Sequence, residues 1–197
     1  MRIKRSLYYL YIVFLSALFS CHASHSNRVV IVQPLGDFPH AQAMVLYSQV
    51  LLSNPTAILR PAIPLPAFAF YAQRNRYKAD TIIRFLDQFG NADTVIIGIT
   101  DKDISTVKGS IPDWGVMGLG NCPGNACVVS TFRLGNVHDQ LYKVALHELG
   151  HTQGLPHCPN RTCYMRDAAG GNHLDEETGF CHSCATFLKK KGWRLGQ

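Results

Sequence analysis

The run His147-Glu148-Leu149-Gly150-His151-Thr152-Gln153-Gly154-Leu155-Pro156-His157-Cys158 constrains this chain more than any other stretch. Three imidazoles and one carboxylate fall within eleven residues, and a thiol follows at once. His147 and His151 are four apart, so on a helix their rings project from one face, one turn above the other. Gly154 can take the left-handed conformation that ends a helix, and the returning chain then brings His157 to the same point. Glu148 lies beside the first histidine, where a carboxylate reaches water at a metal without ligating the metal. Three histidines leave one position of a tetrahedral zinc open, as a hydrolytic metal site requires.

The elements around this run alternate between strand and helix. Arg28 to Val32 is β-branched and reads as a first strand, and Ala57 to Leu59 as a second. Thr94 to Ile99 is almost wholly apolar, which suits a central strand buried on both faces. A helix is expected over Ala41 to Leu52, with Ala41, Met44, Val45, Tyr47, Leu51 and Leu52 on its inner face. Another is expected over Lys78 to Phe89, with Ile82, Ile83, Phe85 and Leu86 inward. The proline-spaced Arg60 to Pro66 is a loop. Val116 to Leu119 and Ala126 to Thr131 read as two late strands, the second antiparallel because its link to the first is too short for a crossover. Asn136, answered by Asp139, is placed to cap the site helix, whose buried stripe is Val137, Leu141, Val144 and Ala145. This order indicates an α/β domain with a mostly parallel sheet.

The first twenty residues read as an address. Arg2, Lys4 and Arg5 form a basic head, and Leu7 to Phe19 is an uncharged run that suits a secretory signal and is short for a membrane span. It ends in Leu18-Phe19-Ser20-Cys21, which looks like a lipobox with Cys21 as the lipidated first residue of the mature chain. Residues 1–20 are thus expected to be a lipoprotein signal, 21–27 a tether and 28–197 one domain. The chain carries 19 basic and 13 acidic side chains, and the signal holds three of the basic ones. The remaining surplus is mild and its one cluster, Lys189-Lys190-Lys191, suits the solvated end of a helix, so nucleic acid is not an expected partner.

Of seven cysteines, Cys158, Cys163, Cys181 and Cys184 follow the third histidine as two close pairs. They fit either a tetrahedral zinc or, in an exported protein, two disulfides, and the Cys-x-x-Cys spacing favours the metal. Cys122 and Cys127 share a glycine-rich turn and are expected to form a disulfide, with free thiols as the alternative. His182, inside the Cys181-x-x-Cys184 knuckle, could substitute as a ligand but is expected to be simply exposed, and His22, His25, His40, His138 and His173 have no ligand spacing.

The histidine run, continued through Cys158, Cys163, Met165 and Cys181-x-x-Cys184, resembles the archaemetzincin family, metzincin metalloproteases with a cysteine-bound zinc beside the catalytic one. Leu65-Pro66 leading to Arg74 and Tyr77, and Val128 to Thr131 leading to Arg133-Leu134, are similar to weaker family features. The resemblance implies a metzincin-like zincin fold: a mixed, mostly parallel twisted sheet, two or three main helices including the active-site helix, and a small C-terminal zinc-bound subdomain. It implies two zinc ions, the catalytic one on His147, His151 and His157 and the structural one on Cys158, Cys163, Cys181 and Cys184. Glu148 would be the general base, Met165 the apolar floor beneath the imidazoles, and Ala126 to Thr131 the strand that pairs with an extended peptide substrate. The chain departs from the family in a Met165-to-Cys181 gap of fifteen residues, in the cysteine-bearing turn at Gly120 to Ala126, and in its lipoprotein signal.

The expected protein is a monomeric zinc peptidase acting on peptide or protein substrates, exported and lipid-anchored to a bacterial membrane, periplasmic or surface-exposed. Aminopeptidase and endopeptidase action are not separated by sequence, since no acidic residue declares itself as a holder of a free amine. One alternative is a catalytically silent zinc-bound peptide-binding or scaffold module, against which Glu148 is intact. The other is a purely structural zinc protein, against which a closed site would take a fourth protein ligand.

Overall fold

The computed structural model describes residues 28–54 and 56–195, so the expected signal, Cys21 and the expected tether lie outside the described residues. The central sheet is built on β1 (Val29–Pro34), β2 (Ile58–Leu59), β5 (Thr94–Thr100), β8 (Gly118–Gly120) and β9 (Ala126–Ser130), in the order β2-β1-β5-β9-β8. β2, β1, β5 and β9 run parallel, and β8 pairs antiparallel with β9. The sheet is therefore mixed and mostly parallel, as expected, but the strand that opposes the others is the first of the late pair, not the second.

Strand alternation divides the core between the two faces of this sheet. Val30, Val32, Val95, Ile97, Ile99, Cys127 and Val129 pack in one cluster beneath helices α1 (His40–Ser53), α3 (Val137–Gln153) and α4 (His182–Lys190). Ile31, Ile96, Ala126 and Val128 face the other way, onto Ile82, Ile83 and Leu86 of α2 (Ala79–Asp87). With both faces covered, β1 and β5 read as continuous apolar runs rather than alternating ones. The lysines at 189–191 form the exposed end of α4, where cations suit the helix C-terminus.

α1 turns a different face inward from the one its periodicity suggested. Ala43, Leu46, Val50 and Ser53 are buried, whereas Met44, Val45 and Leu52 are exposed. The helix is apolar on more than one side, so its pattern has no single solution until the sheet is present. In α2, Phe85 is half-buried and packs edge-on against Phe68 and Phe89 rather than entering the core.

A second sheet was not anticipated. β3 (Phe70–Tyr71), β4 (Arg76–Lys78), β6 (Ile104–Lys108) and β7 (Ile111–Val116) form it in that order, with β4 and β6 parallel and the other pairs antiparallel. β3 and β4 are too short to show a period, and Pro112 in β7 is tolerated only because that strand lies at an edge. The stretch read as a strand from Val116 to Leu119 is in fact a transfer point. β7 ends in the second sheet at Val116, and β8 begins in the central one at Gly118.

Buried charge ties the second sheet to the loop that leads into α3. Asp103 is 7% exposed and accepts from Arg133 Nε at 2.8 Å and Nη2 at 2.9 Å, while Arg76 Nε stands 2.9 Å away. Asp113 holds Arg76 at 3.1 Å and Lys78 at 3.2 Å. Removing one member of such a buried set strands the others. Asp103→Ala is expected to lower stability by about 3 kcal/mol, read as a shift of the denaturant midpoint; an unchanged midpoint would mean that water already screens these guanidinium groups.

Candidate metal centre

α3 carries the first two histidines because its stripe of Leu141, Val144, Ala145 and Leu149 anchors it to the central sheet. Asn136 occupies the cap position but makes no capping bond to the backbone; its Nδ2 donates to Asp139 at 2.6 Å. Gln140 Oε1 instead holds the chain just before the helix, accepting from the Gly135 amide at 3.0 Å and the Asn136 amide at 3.4 Å. At the other end Gly154 has φ +102°, its amide donates to His151 O at 2.8 Å, and the Leu155 amide donates to Gly150 O at 3.1 Å. That turn carries the chain back to His157.

The three imidazoles meet. One ring nitrogen from each of His147, His151 and His157 lies within 4.8 Å of the others. His147 Nδ1 donates to the Tyr164 carbonyl at 2.6 Å and His151 Nδ1 to the Leu155 carbonyl at 2.7 Å. A carbonyl can only accept, so both Nδ1 atoms carry the proton and both Nε2 atoms present lone pairs. Those Nε2 atoms are 3.0 Å apart, an approach that a cation between them reconciles. His157 Nδ1 stands 3.5 Å from the Asp167 carboxylate. Outer partners of this kind orient imidazoles toward a metal. Burial, then the neighbouring His151, lowers His147 to about 4, which keeps that ring in the neutral, ligating form. The donor set therefore fits zinc with a position to spare.

Glu148 is 6% exposed, and burial alone raises it to about 8. It fits under β8 only because that strand has no side chain there: a Cβ at Gly118 would come within 2.6 Å of Glu148 Oε1. Met165 is fully buried, and a Cβ on Gly150 would stand 2.5 Å from its Sδ. The thioether thus presses against α3 at Gly150, between the two helical histidines in sequence. Gly150→Ala is expected to cost about 1–3 kcal/mol through overpacking, measured as a fall in the unfolding midpoint with a matching loss of zinc affinity; retention of both would show that Met165 yields freely.

The Sγ atoms of Cys158, Cys163, Cys181 and Cys184 also lie within 4.8 Å of one another, and all four are free thiols. Cys163 Sγ accepts from the amides of Met165 at 3.5 Å and Cys181 at 3.3 Å. Burial opposes ionisation of Cys181, but hydrogen bonds from Ser183 and the Cys184 amide outweigh it and lower that thiol to about 6. Such a cluster is suited to a closed tetrahedral metal site. Cys122 and Cys127, by contrast, form no disulfide. The ladder sets Gly120, not Cys122, opposite Cys127. Cys127 is buried in the core, while Cys122 is exposed and points its thiol at Leu155 O, 3.3 Å away.

The sequence model for peptidase family M54 matches residues 40–190. The chain belongs to that family. An archaemetzincin from Archaeoglobus fulgidus is 31% identical over 166 residues, covering 81% of this chain and 98% of the relative. One from Methanopyrus kandleri is 32% identical over 138 residues, covering 67% and 77%. The crystal structure of the A. fulgidus archaemetzincin, solved with malonate, superposes with a TM-score of 0.68 at 29% identity, covering 81% of this chain and 99% of that one. The M. kandleri crystal structure has a TM-score of 0.71 at 24% identity, covering 84% and 96%, a likeness of fold. The chain is accordingly a zinc-dependent metallopeptidase of the archaemetzincin family.

In this archaemetzincin fold the histidines open into a cavity of about 660 Å³. β8 and the segment 166–174 line it, with Val144, His147, Glu148 and His151 along α3. The strand expected to meet substrate, Ala126 to Thr131, is not available for pairing. β9 is held on one side by β5 and on the other by β8, so the free edge beside the cavity belongs to β8. His173 lines the cavity, 3.7 Å from Glu176, but stands outside the histidine cluster. Asp167, Trp114 and Glu177 also line it and went unnoticed in the sequence, where no spacing links them to the histidines.

Proposed function

We propose that this chain is a two-zinc peptidase that hydrolyses peptide bonds at the histidine cluster with Glu148 as general base. The observation that carries the reading is the pair of Nε2 atoms facing each other at 3.0 Å beside a buried carboxylate, at the wall of a peptide-sized cavity. His147, His151 and His157 would hold the catalytic ion, and Cys158, Cys163, Cys181 and Cys184 a structural one. When bound, the catalytic zinc supplies Lewis acidity to the scissile carbonyl and to the attacking water. Glu148 accepts a proton from that water and delivers it to the leaving amine. The free edge of β8 lays an extended peptide across the cavity through main-chain hydrogen bonds. The protein acts as a monomer, exported and tethered through lipid on Cys21, with residues 21–27 as the tether and its substrates outside the cytoplasm.

The test is a mixed peptide library, half of it N-acetylated, incubated with metal-analysed protein. Two zincs per chain and cleavage that stops on chelation support the reading. Interior cuts in acetylated peptides define an endopeptidase, and release of single residues only from free amines an aminopeptidase. Zinc at the histidines with no cleavage anywhere would make the chain a peptide-binding module. Cys21→Ser is expected to release the protein from membranes; undiminished membrane retention would sink the lipid anchor.

A further inference from the structure

Glu177 takes no part in the zinc chemistry, yet it lines the same cavity as His147 and Glu148. It is 4% exposed, and its Oε2 is buried without a hydrogen-bond partner among the described residues. A carboxylate oxygen left unpaired in the interior is unfavourable, and a ligand is one natural source of the missing donor. The cations whose fields reach Glu177 are bound elsewhere. Lys143 Nζ donates to the backbone carbonyls of Leu174 at 2.6 Å and of Glu177 itself at 2.7 Å. Arg166 donates to Glu176 at 2.8 Å and to the Arg161 carbonyl at 3.2 Å.

Of the three carboxylates that line the cavity among the described residues, Glu148 is assigned to proton transfer and Asp167 stands by His157, which leaves Glu177. The two Lys143 bonds fasten its segment to α3 one turn before His147, a displacement of about 5 Å along the helix. The walls at that end are Val144 and Leu174, 4% and 5% exposed. An apolar wall with a carboxylate at its base matches an alkyl stem that ends in a cation.

We propose that Glu177 is a specificity residue, pairing with a cationic group of the peptide substrate, either a Lys or Arg side chain or the free α-amine of a chain terminus. The inference rests on the reading that peptides bind in this cavity. Next to a scissile bond held at the histidines, a lysine stem would lie along Val144 and Leu174 and its ammonium would supply the donor that Oε2 lacks. A terminal amine would meet the same carboxylate, and would make the enzyme an aminopeptidase by anchoring the chain end.

The test uses the full zinc-loaded protein and a series of zinc-chelating peptide hydroxamates bearing Lys, Arg or norleucine, each with a free or an acetylated amine, with affinities read by calorimetry. A cationic group is expected to bind on the order of 10- to 100-fold more tightly than its neutral counterpart. Glu177→Gln should abolish that preference while leaving norleucine affinity and zinc content unchanged, and Glu177→Asp should keep part of it. A gain that follows the side chain identifies Lys or Arg; one that follows the free amine identifies the terminus. Equal affinities in the wild type, or a preference that survives in Glu177→Gln, would overturn the proposal and leave the peptidase reading standing. If no hydroxamate binds the zinc-loaded protein, the peptidase reading falls and this proposal with it.

Discussion

Glu148→Gln is expected to lower kcat/KM about 100- to 10,000-fold while zinc occupancy at His147, His151 and His157 is retained. The amide is nearly isosteric, so the space left by Gly118 still accepts it, but it cannot take a proton from water. The side chain is buried, and burial alone raises its pKa to about 8. Removing an ionisable group from such a site is at worst neutral for stability. Loss of rate with an equal or higher thermal midpoint and unchanged metal content is therefore the signature to look for. A rate within threefold of wild type would remove Glu148 from the base role, whatever its position.

Cys163→Ser, or removal of the metal proposed for the four thiols, is expected to unfold the C-terminal quarter of the domain. Between α3 and α4 the chain has almost no regular structure, only bridges pairing Cys158 with Arg166 and Cys163 with Gly179. Met165 and Leu174 reach the core and Lys143 binds two of its carbonyls, and the rest of its order is expected to come from what the four thiols would hold. Structural zinc contributes about 10–16 kcal/mol of apparent free energy in small domains, more than most single domains possess in total. The same segment carries Met165, the Tyr164 carbonyl that orients His147, and Glu177. Hydrolysis should therefore fail together with the fold, although no cysteine touches the reaction. Hydrogen exchange over residues 158–188 and zinc per chain, falling below two, measure the effect. Cysteines that resist alkylation until reduced, with exchange unchanged by a chelator, would point to disulfides and discard the second metal.

The histidine cluster was legible because its residues are local. His147 and His151 are joined by one helical turn, and Gly154 allows a single way back for His157. The free-thiol state of Cys158, Cys163, Cys181 and Cys184 was less so, since two close pairs suit a metal or two disulfides until the distances are known. Cys122 and Cys127 show the converse: nearness in sequence suggested a bond, but the β8–β9 register sets Gly120 opposite Cys127. The inner face of α1 was illegible for another reason, as a helix apolar on several sides leaves the choice to whatever it packs against.

The sequence by itself determined the chemistry around His147: three ring nitrogens, one carboxylate beside them, and a thioether and four thiols following in order. Each of these is set by spacing along a few turns of chain, where backbone geometry leaves little freedom. Only the tertiary structure decided what surrounds that chemistry. It gave the cavity edge to β8 rather than β9, it built a second sheet from strands too short to read, and it turned Glu177 into the wall beside His147. Those relations join residues tens of positions apart through strand order and burial, which no local pattern encodes.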